Sequence, residues 1–207
     1  MKKSFSILIL FVSGWIVAFA QSPPDSDPPS WEFNPDVSFY FISDDFFVLP
    51  VFRADKNRLH LEARYNYEDR ETFSGWVGYN FYGGGKLEYN ITPMIGGVVG
   101  LTDGLAPGLE FTLAYGRFEI YNEMEYVFDL EDDQNNYFYS WSDVTYSPTD
   151  WLWVGLSGQR TRVYQTDLDY QRGLLIGGGV GAWELNTYFF NIASDDPFLM
   201  INIAVEF

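Results

Sequence analysis

Glu119, Glu123 and Glu125 stand at alternate positions of one stretch, and Glu110 stands on the stretch before it. The segment Arg58-Leu59-His60-Leu61-Glu62-Ala63-Arg64-Tyr65-Asn66-Tyr67 sets His60, Glu62 and Arg64 at every second residue. Glu88 and Glu184 occupy similar alternating settings. Gathered on one surface, such groups can do acid–base work, hold a cation, or form a salt-bridge network. Acid–base catalysis is poorly supplied. His60 is the sole histidine and cysteine is absent, so a Ser-His or Asp-His mechanism would have to use His60. Glu62 shares its face, but no partner nucleophile is visible. Gly155-Leu156-Ser157-Gly158-Gln159 ends in Gln where a nucleophile elbow requires Gly. Gly177-Gly178-Gly179-Val180-Gly181 is followed by no helix, so it does not read as a phosphate loop. Asp129-Leu130-Glu131-Asp132-Asp133-Gln134 lacks the sixth-position Gly of an EF-hand. No catalytic residue, metal site or cofactor is therefore expected.

The elements that carry these groups are strands. Around Arg58–Tyr67 one face is Leu59, Leu61, Ala63, Tyr65 and Tyr67 and the other is polar, a period of two. Leu109–Leu113, Phe118–Ile120 and Trp183–Asn186 alternate in the same way. Candidate strands are 37–43, 46–53, 58–67, 72–82, 86–101, 108–116, 118–129, 137–146, 151–163, 171–180, 183–192 and 198–207. Twelve antiparallel strands are expected, with ten as the alternative. Regular short strands separated by turn residues indicate an all-β barrel or sandwich.

Composition narrows the choice. The chain carries 12 basic and 29 acidic residues, a net charge of −17, which excludes a nucleic-acid partner. Aromatic residues make up 20% of the chain, far from a disordered composition. Lys2 and Lys3, the apolar run to Val17 and Ala18-Phe19-Ala20 read as a signal peptide over 1–20, cleaved before Gln21. The prolines of 21–36 read as an extended lead-in, and 37–207 as one barrel domain.

The last strand, Phe198 to Phe207, sets Leu199, Ile201, Ile203, Val205 and Phe207 on one face and closes on the aromatic Phe207. Together with the export signal, it resembles the C-terminal assembly signal of bacterial outer-membrane β-barrels. The resemblance covers 37–207 and implies a small porin-like protein. In such a protein the apolar faces meet lipid, the chain ends lie in the periplasm, and the barrel assembly machinery reads Ile203, Val205 and Phe207. The alternative is a periplasmic sandwich or lipocalin-like barrel with its apolar faces inside.

In the membrane reading Tyr65, Tyr67, Tyr79, Phe81, Tyr115, Tyr126 and Phe128 form outer-face girdles at strand ends. His60, Glu62, Arg64, Glu88, Glu110, Glu119, Glu123, Glu125 and Glu184 line the lumen and set its selectivity. Arg160, Arg162 and Arg172 are further candidates to pair with the carboxylates. Glu68, Asp69, Asp103, Asp129 and Glu131 to Asp133 fall in the outward connections, where they would hold divalent cations that bridge to lipopolysaccharide or simply keep the rim soluble. Those connections are short, so no loop is expected to plug the lumen. Lipid, lipopolysaccharide and small solutes are the expected partners, and the oligomeric state is open. Two architectures remain: a carboxylate-lined channel, and a closed barrel filled by a salt-bridge network. Twelve strands lie between a packed interior and an aqueous one. A His60-dependent lipid enzyme is the third reading. Resemblance to the acidic-sugar porins of similar length stops at the lumen, which is basic in them and acidic here.

Overall fold

The computed structural model describes residues 30–163 and 170–207. The expected signal peptide and the first part of the lead-in lie outside the described residues. The period of two is realised as thirteen strands: β1 (Glu32–Ile42), β2 (Asp45–Lys56), β3 (Leu59–Tyr65), β4 (Phe73–Tyr79), β5 (Phe81–Gly84), β6 (Leu87–Val99), β7 (Gly104–Tyr115), β8 (Phe118–Asp129), β9 (Tyr137–Tyr146), β10 (Leu152–Arg160), β11 (Gln171–Val180), β12 (Trp183–Phe190) and β13 (Phe198–Val205). Each pairs antiparallel with its neighbours, β1 pairs with β13, and β4 pairs with β6, which closes a twelve-stranded barrel with one extra strand outside. The extra strand, β5, continues β4 in one register: Phe73 faces Val99 and Phe81 faces Ile91 across β6. The ladder breaks at Asn80, whose N–H goes to the Arg58 carbonyl (2.8 Å).

Closure removes the sheet edge and pairs the backbone around the ring, which lipid demands. The seam is finished by Phe33 and Phe207, which exchange two backbone hydrogen bonds (2.8 and 3.0 Å). β1 begins at Glu32 rather than at 37, so Pro35 and Asp36 belong to the wall instead of the lead-in. β2 likewise runs past Arg53 to Lys56. The end of the barrel holding both termini has tight turns. Asn57, Gly116 and Gly181 take positive φ there (58°, 62° and 64°), as two-residue hairpins need.

The outer wall is apolar. Ile95, Val99, Leu105, Leu156, Leu174 and Leu185 are each half or more exposed. A continuous apolar band of this kind belongs in lipid rather than water. Tyr65, Tyr79, Phe81, Tyr115, Tyr126 and Phe128 are exposed on it as expected; Tyr67 is not, being buried inside. The girdle therefore loses one expected member.

The lumen is not uniformly polar. Toward the loop end it is filled by packed rings: Tyr40 stacks on Phe47 (4.5 Å), Phe190 on Phe198 (4.8 Å), and Trp141 meets Tyr188 edge-on (5.2 Å). Nearer the terminal turns, β11 makes room for a further ring by omitting side chains. A Cβ on Gly177 would lie 2.1 Å from Trp153 Nε1 and 2.2 Å from Asn186 Oδ1. Trp153 donates to that same Asn186 oxygen (2.7 Å). The glycine run is thus a recess for an indole.

Gly177→Val should break this packing at about 1–3 kcal/mol, seen as loss of the folded band in heat-modifiability gels. Gly97→Val, with nothing within 4 Å of its Cβ, should leave that band unchanged.

Candidate functional site

Strand alternation turns His60, Glu62 and Arg64 of β3 into the barrel, where all three are buried. β2 supplies their cross-strand partners: Arg53 lies opposite Glu62 and Asp55 opposite His60. β7 and β8 bring Glu110 and Glu123 directly opposite each other. Like charges so paired repel unless a cation intervenes. Arg64 is that cation. Its guanidinium reaches Glu123 (2.7 Å), Glu125 (3.1 Å), Glu68 and Glu110 (both 3.7 Å), and also pairs with Glu62. Tyr67 and Trp76 hold the guanidinium with ring centroids at 4.4 and 4.7 Å. Tyr67 and Tyr121 each donate a hydroxyl to Glu123 Oε2 (2.7 and 3.1 Å).

Arg53 extends the network to the terminal end. It donates to Glu62 Oε1 (2.8 Å) and pairs with Asp36. His60 faces Asp55 through Nδ1 (2.8 Å) and Glu62 through Nε2 (2.9 Å). Asp36, Asp55, Glu62, Glu68, Glu110, Glu123 and Glu125 thus form one connected system with Arg53, Arg64 and His60 as its cationic groups. Carboxylates outnumber arginines heavily, and Glu68 Oε2 and Glu125 Oε1 are buried with no hydrogen-bond donor.

The loop between β3 and β4 is the unexpected member. Its sequence is that of a short, outward acidic turn, from which no plug is expected. Asn66 and Glu71 take positive φ (58° and 50°), which breaks the strand alternation and drops Tyr67 and Glu68 into the lumen. The turn is tied by Asn66: its N–H goes to the Thr72 carbonyl (2.9 Å), its Nδ2 to the Val48 carbonyl (2.9 Å), and its Oδ1 accepts from the Glu71 N–H (2.8 Å). Glu68 accepts from Ser74 Oγ (2.5 Å) and Trp76 Nε1 (3.1 Å), and its carbonyl accepts from the Tyr137 hydroxyl (2.5 Å). A loop that short can plug the barrel because two residues suffice when Arg64 meets them from below.

Two cavities occupy the terminal half. One, of about 140 Å³, is bounded by Asp36, Ser38, Tyr121, Glu119, Asp143 and Glu184 among others. The other, of about 280 Å³, includes Glu32, Asp55, His60, Asn80, Glu88, Glu110 and Tyr121. Glu88 sits exposed at the mouth of the second cavity. Glu123 and Glu125 lie deeper, on Arg64. The expected lumen residues are therefore all on the inner surface, divided between two cavities and one ion network. Arg160 and Arg162 are not part of it: they donate to the Phe138 and Asn135 carbonyls (3.0 and 2.7 Å) near the loop end. Arg172 points to the exposed side. The alternation argument missed Arg53, Asp36, Asp55 and Asp143. Asp36 and Asp55 would have been found by extending β1 and β2 by a few alternating residues; Arg53 lies within the expected strand 46–53, at its end.

An apolar exterior around a polar and aromatic interior defines a transmembrane β-barrel. Solved structures agree in fold. The chain is similar to a KdgM porin, with a TM-score of 0.62 and 11% identity over 84% of this chain and 99% of that one. It is also similar to the outer membrane protein Omp33 of Acinetobacter baumannii, with a TM-score of 0.50 and 15% identity over 86% of this chain and 98% of that one. No protein-family model and no curated protein matches the sequence. The fold is that of a small outer-membrane porin-like β-barrel.

Arg64→Met should leave the carboxylates around it uncompensated and cost about 3–5 kcal/mol, measured as a fall in the thermal unfolding midpoint in detergent. Burial holds the Glu68 carboxyl above its ordinary value of 4.5, against the lowering effect of Arg64. The folded chain then keeps this proton to higher pH than the unfolded chain does. Its stabilising contribution is present below about pH 4.5 and is lost as pH rises through the folded value. Glu68→Gln should remove that part of the slope in unfolding free energy above pH 4.5.

Proposed function

We propose that the barrel is a passive outer-membrane channel for small polar or cationic solutes. The observation that carries this reading is the charge of the inner surface. Carboxylates line both cavities, and Arg53 and Arg64, the lumen's arginines among the described residues, are already engaged by other carboxylates. Rings of carboxylates raise the local concentration of cations and repel anions. So many acidic groups are expensive in a dry interior, which supports a hydrated one. Solutes meet Glu88, Glu119 and Glu184 first, at the end holding the termini. Passage to the far side requires Tyr67 and Glu68 to leave the lumen and the aromatic cluster beyond them to part.

The placement in the cell follows the same reading. Residues 1–20 direct export, the termini face the periplasm, and the assembly machinery recognises the strand ending in Ile203, Val205 and Phe207. The acidic loops meet the lipopolysaccharide surface, with divalent cations bridging the phosphates.

A second reading, a closed barrel with an accessory role, is favoured by one observation: the aromatic cluster from Tyr40 to Phe198 fills the loop half. No step of the channel reading uses His60 as a catalyst, and both of its ring nitrogens face carboxylates.

Planar-bilayer recording of the detergent-purified protein in a salt gradient should give discrete steps with a cation-favouring reversal potential. The double variant Glu119→Gln/Glu184→Gln should move that potential toward zero. A barrel that is folded by heat-modifiability and never conducts overturns the channel reading in favour of the closed one.

A further inference from the structure

His60, Glu62 and Glu110 come from three positions on two strands, yet one ligand atom from each lies within 4.8 Å of the others, and all three residues are buried. We propose that these three side chains form a binding site for a single divalent transition-metal ion of the Zn²⁺ type. This inference does not depend on whether the barrel conducts.

The geometry around the imidazole points to a ligand. Asp55 Oδ1 sits 2.8 Å from His60 Nδ1 and accepts its proton. The lone pair of Nε2 is then directed at Glu62 Oε1, 2.9 Å away. Two acceptors that close need a cation between them. A proton on Nε2 meets the need in the absence of metal, and a metal ion takes the same place. The arrangement of carboxylate, histidine and ion is the one that orients imidazole ligands in metal sites generally. Asp55 is itself fixed: Asn80 Nδ2 donates to it (2.7 Å), and Thr92 Oγ1 donates to Asn80 Oδ1 (2.6 Å). The imidazole is therefore preorganised by a chain of hydrogen bonds that serves no backbone purpose.

Glu110 supplies the third ligand. Its contacts are weak by comparison, the Tyr121 hydroxyl at 3.3 Å and Arg64 at 3.7 Å, so it can turn to an ion at little cost. Glu62 keeps its bond from Arg53 and gives the ion one lone pair of Oε1. A tetrahedral zinc sets its ligand atoms roughly 3.4 Å apart, so the three side chains close on it by small rotations. The fourth position faces the 280 Å³ cavity that His60 and Glu110 line, which leaves it to water and gives the ion a route in from the mouth at Glu88. The excess of carboxylates over arginines in the network offsets the nearby positive charge of Arg53 and Arg64. One nitrogen and two carboxylate oxygens suit zinc and its neighbours, while calcium and magnesium prefer oxygen-only sites.

The test uses the full-length protein in detergent, stripped with EDTA and titrated with ZnCl2 by calorimetry, with Co²⁺ absorption as a report on coordination. The expected result is one site per chain, with MgCl2 giving no comparable signal. Glu110→Gln and His60→Gln should each weaken binding at least tenfold and remove the Co²⁺ bands. Asp55→Asn, which leaves the ligands in place, should weaken binding by roughly 10–100-fold. Glu119→Gln, outside the site, should bind as the parent does. If His60→Gln does not fold, Glu110→Gln and Asp55→Asn decide the matter. Zinc binding that is absent, or that is the same in Glu110→Gln and Asp55→Asn as in the parent, overturns the proposal and places any bound ion on the acidic loops.

Discussion

One arginine organises the inside of this barrel. Arg64 rises from β3, crosses the lumen, and neutralises glutamates from β7, β8 and its own strand while lying between two aromatic rings. A buried ion pair seldom adds net stability, because desolvation offsets the attraction. Removing one partner from such a system is another matter, since the charges left behind are uncompensated. The Arg64 network therefore acts as a constraint more than a source of stability. It forces the carboxylates, the inward turn at Tyr67 and Glu68, and the aromatic packing above them to be solved together.

That constraint divides the lumen. Toward the loops, rings pack against rings, and nearer the terminal turns the recess at Gly177 accommodates an indole. Toward the termini lie two cavities, both bordered by carboxylates, and the smaller one also by Trp153, Leu175 and Tyr188. The wall has the opposite polarity, with aliphatic side chains facing outward along every strand. The same backbone thus serves an apolar surface outside, a packed plug in one half and two cavities in the other. Tyr121 borders both cavities and touches Glu110 and Glu123, so it links the cavities to the ion network.

Much of this is legible in the residues. The alternation around Leu59–Tyr65 placed His60, Glu62 and Arg64 on one inner face, and the parity of Glu119, Glu123 and Glu125 placed them opposite. The chain's aromatics could not be sorted so easily. Tyr139, Trp141 and Tyr188 occupy inward positions, but a ring is equally at home in lipid and in a packed lumen, and period two alone does not say which face is which. Asp55 was missed because Ala54 read as the start of a turn rather than as a strand residue, and Arg53, the last residue of the expected strand, was not assigned to a face. Tyr67 and Glu68 were misplaced because Asn66 adopts positive φ, a local choice that shifts every later side chain of the turn. Glu110 meets His60 only across the barrel, and no spacing along the chain announces such a meeting.

The account rests on a lumen that is acidic and reachable at the terminal end and sealed by Arg64 and Glu68 beyond it. The chain has no cysteine, so single introduced thiols report on this directly. Ser38→Cys places a thiol in the smaller chamber, and Ser74→Cys places one behind the Arg64 network. Reaction rates of the purified barrel with a cationic and an anionic thiol reagent of equal size are the measurement to make. The account predicts fast reaction at Ser38→Cys, faster for the cationic reagent, and reaction at Ser74→Cys slower by at least tenfold. Equal rates at the two positions, or preference for the anionic reagent at Ser38→Cys, would contradict it.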